Sequence, residues 1–270
     1  MRLRAPFQLP KLGAVPTPVS RVLVVADAHL GQVPPAVRAA FHSFLDEVPQ
    51  AGDHLLIIGD LFDFWFEYQS VIPRKHFATV AKLQEVRARG GGSGIPITFV
   101  GGNHDRWGGS FFRQDLGIDF YGGEAELELG GRRAFVAHGD GLTEQHWTGK
   151  LMHRFTRNPV TIAVFRILHP TIGFWIADQF SRHLADNTKD RAVLDRASAA
   201  QRRWAAEFLG RRPDVEIVIM AHTHRPVLDR LSDGRAYLNP GAFLDGGRYA
   251  VVTANGVELK QFTTERLLPA

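Results

Sequence analysis

Five short apolar runs, each ending in residues able to bind a metal, constrain this chain more than any other feature. Arg21–Ala26 runs into Asp27-Ala28-His29, His54–Ile58 into Gly59-Asp60-Leu61-Phe62-Asp63, and Ile95–Val100 into Gly101-Gly102-Asn103-His104-Asp105. Arg133–Ala137 runs into His138-Gly139-Asp140, and Val215–Met220 into Ala221-His222-Thr223-His224. Apolar runs this short read as buried strands. Pro35–Glu47 and Arg74–Arg89 carry apolar residues at spacings of three and four and read as helices between them. The second ends at Gly90-Gly91-Gly92-Ser93-Gly94, which reads as a flexible loop. Strand–helix alternation predicts a layered α/β sheet. Ala236–Leu238, Tyr249–Thr253 and Val257–Phe262 read as a short antiparallel set, with Asn255-Gly256 as a hairpin turn between the last two.

A chain of 270 residues that is 44% hydrophobic can bury one large core. Residues 1–20, broken by Pro6, Pro10, Pro16 and Pro18, read as a loose arm with no apolar segment of a secretory signal. The remaining 21–270 read as one domain. Within it, Leu142–Leu209 is helical in pattern and strand-poor, and reads as an inserted helical cap. The cap region is basic: residues 146–212 hold 12 Lys and Arg against 5 Asp and Glu, whereas the remainder holds 20 against 23. Such a block points either to an anionic partner (phosphate, nucleic acid or an acidic membrane) or to a solvated helical surface. Pro159–Ala177 is the most apolar stretch, but Arg166, His169 and Pro170 interrupt it too much for a spanning helix. A cytoplasmic protein that touches a membrane surface is the expectation.

In open α/β sheets the carboxyl ends of the strands gather where ligands bind. The residues delivered there are Asp27, His29, Asp60, Asn103, His138, His222 and His224. The spacing of Asp27-x-His29 and of His222-x-His224 puts both members of a pair on one side of an extended segment. Cys is absent, so thiolate sites are excluded. Imidazole with carboxylate and amide oxygen suits Mn²⁺, Fe²⁺, Zn²⁺ or Co²⁺ rather than a Ca²⁺ cage. Seven ligands exceed what one catalytic metal needs, and they suit two metals about 3.5–4 Å apart that share a carboxylate. Taken singly, each has a plainer role: Asp27 as a helix N-cap, Gly59-Asp60 as a turn, Asn103 in an Asx-turn, a lone His on the surface. Recurrence at five strand ends favours the metal site.

Asp27-x-His29, Gly59-Asp60-x-x-Asp63, Gly102-Asn103-His104-Asp105, His138 and His222-x-His224 resemble, in order, the five signature blocks of the calcineurin-like metallophosphoesterases. Ala221 departs from them, standing where the last block usually has Gly. The resemblance implies a four-layer αββα sandwich with an inserted cap, and two divalent cations, Mn²⁺ ahead of Fe²⁺, Zn²⁺ or Co²⁺. It implies that Asp27, His29 and His224 hold one cation, that Asn103, His138 and His222 hold the other, and that Asp60 bridges them. It also implies that His104 contacts a phosphoryl oxygen or protonates the leaving group, and that Asp105 orients His104.

Gly59–Trp65, His138-Gly139-Asp140 and the basic insertion are similar to one branch of that family, the pyrophosphatases that cleave UDP-2,3-diacylglucosamine in lipid A synthesis. This narrower resemblance implies a phosphorylated lipid-sugar nucleotide as substrate, a cap acting as a lid over its acyl chains, and contact with the inner-membrane surface. It implies that Arg182, Asn187 and Lys189 lie near the sugar or phosphates. Asp140 is expected either to bond a sugar hydroxyl or to cap the following helix. Phe155, Val160, Phe165, Ile167, Phe174 and Trp175 lie among Arg154, Arg157 and Arg166, the mixture a phosphate-headed lipid or an anionic membrane requires. The same residues would equally serve to pack the cap onto the body. His104 stands where that branch carries Arg, so another phosphodiester or phosphomonoester (cyclic nucleotide, nucleic acid or phosphoprotein) stays open as substrate. A nuclease would be expected to show a basic–aromatic stacking ladder, which is not evident. A non-catalytic scaffold would be expected to have lost ligands, and all seven are present.

Overall fold

The strands form because their runs can be buried on both faces at once. In β1 (Arg21–Val25), Leu23 and Val25 face one core and Val22 and Val24 another, and all four are buried. β2 (His54–Ile58) repeats the pattern with Leu55 and Ile57 against Leu56 and Ile58. A computed structural model describes residues 21–89, 94–142, 151, 154–185 and 191–263. Expectations for residues 1–20, Gly90–Ser93, Asn187 and Lys189 lie outside the described residues.

The remaining strands are β3 (Ile97–Val100), β4 (Asp119–Tyr121), β5 (Glu124–Leu129), β6 (Arg132–Ala137), β7 (Ile217–Ile219), β8 (Val227–Arg230), β9 (Ala236–Asn239), β10 (Arg248–Thr253) and β11 (Gly256–Gln261). They form a six-stranded sheet ordered β11-β10-β1-β2-β3-β4 and a five-stranded sheet ordered β5-β6-β7-β9-β8. β1 to β4 pair in parallel, as do β6, β7 and β9. Val24, Leu56, Ile58 and Val100 of the first sheet meet Val136, Ile217, Ile219 and Leu238 of the second.

Helices cover the two outer faces. Phe41, Phe44, Leu45 and Val48 of α1 (Pro35–Ala51), with Leu83 and Val86 of α2 (Phe77–Arg89), pack on the first sheet. α3 (Phe111–Gln114) is a single turn that buries Phe112 in the same core. The four layers αββα are therefore observed. Between β6 and β7 lie α4 (Pro159–Ile167), α5 (Pro170–Ala185) and α6 (Arg191–Arg211).

Two expectations need correction. Ala236–Asn239 does not join the terminal hairpin, because its four residues are buried and it fills the second sheet between β7 and β8. The stretch 142–209 is not all cap: Ala205 and Leu209 of α6 pack with Phe135, Val218 and Tyr237, so this helix supplies the outer layer of the second sheet. α4, by contrast, buries none of its residues. Among the described residues no helix is long and apolar enough to cross a membrane.

Leu56 is fully buried between the sheets, whereas Leu259 is 38% exposed on the edge strand. Leu56→Ala is expected to lower stability by about 2–5 kcal/mol through the lost contacts and the cavity left behind. Leu259→Ala is expected to cost under ~1 kcal/mol. Urea unfolding of the two variants measures the difference, and equal costs would contradict an inter-sheet core at this position.

Candidate metal centre

The parallel ladder of the first sheet continues past the strand ends as loop-to-loop hydrogen bonds. Asp27 N–H donates to Gly59 O (3.2 Å), His29 N–H to Asp60 O (2.9 Å) and Leu30 N–H to Leu61 O (2.9 Å). Trp65 N–H donates to His104 O at 2.8 Å, and across the second sheet Ala221 N–H donates to His138 O at 2.9 Å. Side chains from both sheets are thereby brought to one edge.

The backbone there is not extended, contrary to expectation. Asp27, His29, Asp60, His222 and His224 have φ of 50°, 45°, 50°, 71° and 55°. This left-handed region costs a non-glycine residue about 1–2 kcal/mol. Alternating turns, rather than a strand, aim each pair of side chains, and strain of this kind concentrates where surrounding structure holds a functional geometry. Gly59 (φ 66°) is needed for close approach, since a Cβ there would lie 2.3 Å from His138 Nδ1 and 2.7 Å from Gly102 Cα.

Three groups of side chains each bring one ligand atom apiece within 4.8 Å of one another: Asp27, His29 and His224; His29, Asp60 and His104; Asp60, His138 and His222. Asp60 Oδ2 lies 3.2 Å from His138 Nε2, 3.8 Å from His29 Nε2 and 3.9 Å from His104 Nε2. Asp27 Oδ1 lies 3.6 Å from His224 Nε2 and 3.9 Å from His138 Nε2.

The fit to a cation is carried by atoms left without partners. Asp27 Oδ1, His29 Nε2, Asn103 Oδ1 and His138 Nε2 are buried and make no hydrogen bond. Buried polar atoms are nearly always paired, and these four belong to residues of one loop cluster. Tautomers agree with this. His138 Nδ1 lies 3.1 Å from Ile58 O, and a carbonyl only accepts, so Nδ1 carries a hydrogen and Nε2 is the atom a cation would bind. Burial pushes His29 down to about 3 and His222 to about 4, which keeps both neutral, the form that binds metals. His138 and His224 are the exceptions: burial opposes the charge of both, but Asp60 and Asp27 push His138 up to about 10, and Asp27 and Asp245 raise His224, when no cation is present to hold those carboxylates.

His104 donates from Nδ1 to the main-chain oxygen of Asp63 (2.6 Å), which leaves Nε2 facing Asp60. Asp105 does not reach His104, and this corrects the role expected for it. It is fully buried, and its four hydrogen bonds come from the backbone N–H groups of Asp60 (3.1 Å), Leu61 (2.7 Å), Phe62 (3.3 Å) and Gly102 (2.8 Å). Burial and the Asp60 charge push its carboxyl up to about 6, so at neutral pH it is still the carboxylate that these four donors require. Asp105 thus ties the Asp60 turn to the Asn103 turn.

Asp140 is also buried, and its carboxylate pairs with Arg106. Arg157, in the segment inserted between β6 and β7, is 3.7 Å from the same oxygen. Burial raises the Asp140 carboxyl, and Arg106, His138 and His222 outweigh that and hold it below the usual carboxylate range. Arg182 falls within α5, and its side chain lies outside the described residues. α4 and α5 meet the body through aromatic rings: Phe165 lies 4.8 Å from Phe66, and Phe174 lies 5.6 Å from Tyr68, centroid to centroid. Trp107 Nε1 donates to Thr156 O at 3.0 Å. Phe155, Val160, Val164, Ile167, Ile172 and Trp175 are exposed.

The profile of the calcineurin-like phosphoesterases matches residues 20–226. The chain belongs to that family. A divalent-metal phosphoesterase centre is what the family implies, and the Asp and His groups above are composed for one. Among similar proteins, a UDP-2,3-diacylglucosamine hydrolase of Porphyromonas gingivalis is 28% identical over 252 residues, 86% of this chain and 94% of that protein. One from Enterobacter sp. is 32% identical over 248 residues, 89% of this chain and 98% of that protein. A phosphoesterase from E. coli of known structure, YfcE, is 15% identical with a TM-score of 0.41, covering 90% of this chain and all of that one.

Sequence reasoning missed the surroundings of this phosphoesterase centre. Asp63 takes His76 Nε2 at 3.1 Å and pairs with Lys75, while His76 also reaches Phe64 O at 3.0 Å. Asp245 lies 3.6 Å from His224 Nδ1. The Gly59-Asp60-x-x-Asp63 block includes Asp63, but no spacing rule links it to Lys75 and His76, or Asp245 to His224, because the partners come from separate elements. The four-donor role of Asp105 predicts that Asp105→Asn, which turns an NH₂ group toward N–H donors, will destabilise the metal-free protein by about 2–5 kcal/mol. Thermal unfolding in EDTA checks this. A normal melting temperature with only activity lost would restore the role through His104.

Proposed function

We propose that this chain hydrolyses the pyrophosphate bond of UDP-2,3-diacylglucosamine, releasing UMP and 2,3-diacylglucosamine 1-phosphate. The observation carrying the reaction type is the set of unpaired buried atoms on Asp27, His29, Asn103 and His138 around Asp60. The substrate is supported by relatives that bear the hydrolase name over nearly their whole length, and by exposed apolar side chains of the cap region lying beside Arg154, Arg157 and Arg166.

In this reading Asp27, His29 and His224 hold one divalent cation and Asn103, His138 and His222 the other, with Asp60 shared. Mn²⁺ is the expected metal, ahead of Fe²⁺, Zn²⁺ and Co²⁺. Two such cations supply an activated water near neutral pH and neutralise phosphoryl charge. The protein's own contribution is placement. Loop-to-loop hydrogen bonds fix the ligands, and buried His29 and His222 stay neutral. His104, anchored through Nδ1 on Asp63 O, presents Nε2 to the leaving oxygen and can deliver a proton there. Arg182, Asn187 and Lys189 are proposed contacts to the sugar and phosphates. The exposed cap side chains meet acyl chains at the surface of an anionic membrane.

His104 favours a second reading, hydrolysis of a different phosphodiester or phosphomonoester at the same centre, because an imidazole replaces the guanidinium expected of the lipid A branch. A single experiment separates the two. The purified protein with Mn²⁺ is given UDP-2,3-diacylglucosamine, an aryl phosphodiester, cyclic nucleotides and single-stranded DNA. UMP release from the first alone is the expected result, and turnover of only the others would discard the lipid substrate. Asp60→Ala is expected to abolish every activity, at least ~10³-fold by loss of transition-state charge stabilisation. Activity surviving that change would reject the shared-carboxylate site.

A further inference from the structure

Gln201 is a fully buried amide in the middle of α6, far in sequence from every ligand turn. Its Nε2 donates to Ala221 O at 3.1 Å, the carbonyl immediately before His222. Its Oε1 accepts from Tyr237 OH at 3.1 Å and from Thr223 Oγ1 at 3.4 Å, and Thr223 sits between His222 and His224. Asn239 closes the network, donating from Nδ2 to Ala221 O (3.2 Å) and to Thr223 Oγ1 (3.1 Å) while its Oδ1 accepts from Gly241 N–H (2.9 Å). On its other side Gln201 abuts Gly139, the residue between His138 and Asp140: a Cβ at Gly139 would lie 2.4 Å from Gln201 Nε2. One amide therefore touches both turns that the second sheet contributes to the centre.

We infer that Gln201 is a positioning residue of the metal centre, bracing the His138 and His222–His224 turns against each other from α6. The inference rests on the two-cation reading above. His222 and His224 sit in left-handed backbone (φ 71° and 55°) that needs outside support. A closed network of buried hydrogen bonds supplies it, and such networks rigidify because every member is costly to leave unpaired. A helix is a firmer base for this than a loop. α6 comes after α4 and α5 in the chain, and Arg225, next to His224, is tied to Asp195 on the exposed first half of α6 at 2.7 Å. The brace thus lies on the helix that leads from the inserted segment into β7.

The test uses the full chain stripped with EDTA and titrated with Mn²⁺ by calorimetry, with thermal unfolding of each metal-free protein alongside. Gln201→Met and the shape-conserving Thr223→Val are expected to weaken Mn²⁺ binding about 10–100-fold, the usual cost of losing a partner behind a ligand. Leu83→Ala, a core change on α2 outside every ligand turn and outside the Gln201 network, is expected to lower the melting temperature while leaving Mn²⁺ affinity intact. Wild-type affinity in both network variants would overturn the inference, as would an equal loss in Leu83→Ala. If Gln201→Met fails to fold, Thr223→Val decides alone. Wild-type protein that takes up fewer than two Mn²⁺ would instead refute the two-cation reading, and the brace would then be judged on the cation that does bind.

Discussion

Two carboxylates, Asp27 and Asp60, are buried side by side, and the rest of the site is organised around their charge. Taking one carboxylate out of water costs several kcal/mol unless an opposite charge compensates. Among the described residues neither pairs with a Lys or Arg. The groups facing them are imidazoles, and burial keeps His29 and His222 neutral. The balance falls on His138, pushed to about 10 by those same carboxylates, and on His224, raised by Asp27. A divalent cation held there would supply the missing charge and leave His138 in the neutral ligand form that its Nδ1 bond to Ile58 O prepares.

Holding this arrangement is expensive, and the fold shows where the support comes from. Five of the seven candidate ligands sit in left-handed backbone. Asp105 collects four N–H groups from the turns on either side, Gly59 gives His138 room, and Gln201 stiffens the far side from α6. The contacts around the centre come from both sheets and from the helix outside the second, so the αββα sandwich is the scaffold that lets strand ends from two sheets meet.

Much of this was legible in the sequence because a buried strand ending in Asp or His leaves a local record. β1, β2, β3, β6 and β7 fall where their apolar runs predict, and the residues beyond them converge. β5 was legible too but was missed: Glu124, Glu126 and Glu128 alternate with Ala125, Leu127 and Leu129, the period of a half-buried strand. Other features left no local trace. A two-residue spacing is equally compatible with extended and alternating left-handed backbone, so the spacing of Asp27-x-His29 alone does not separate the two. Asp105 is adjacent to His104, but adjacency says nothing about where a carboxylate points. Gln201 and Asp140 take their meaning from partners remote in sequence, and α6 resembles the cap in composition while packing with the body.

The cap divides the same way. Phe165 and Phe174 dock it onto Phe66 and Tyr68, so part of its apolar content is structural. Val160, Val164, Ile167 and Trp175 remain exposed, and packing within the chain does not account for them. The claim on which everything else depends is the pair of cations sharing Asp60, and a crystal of the Mn²⁺-soaked protein tests it most directly. Anomalous scattering at the manganese edge is expected to show two peaks about 3.5–4 Å apart with an Asp60 oxygen between them. One peak, or two that do not share Asp60, would contradict the account.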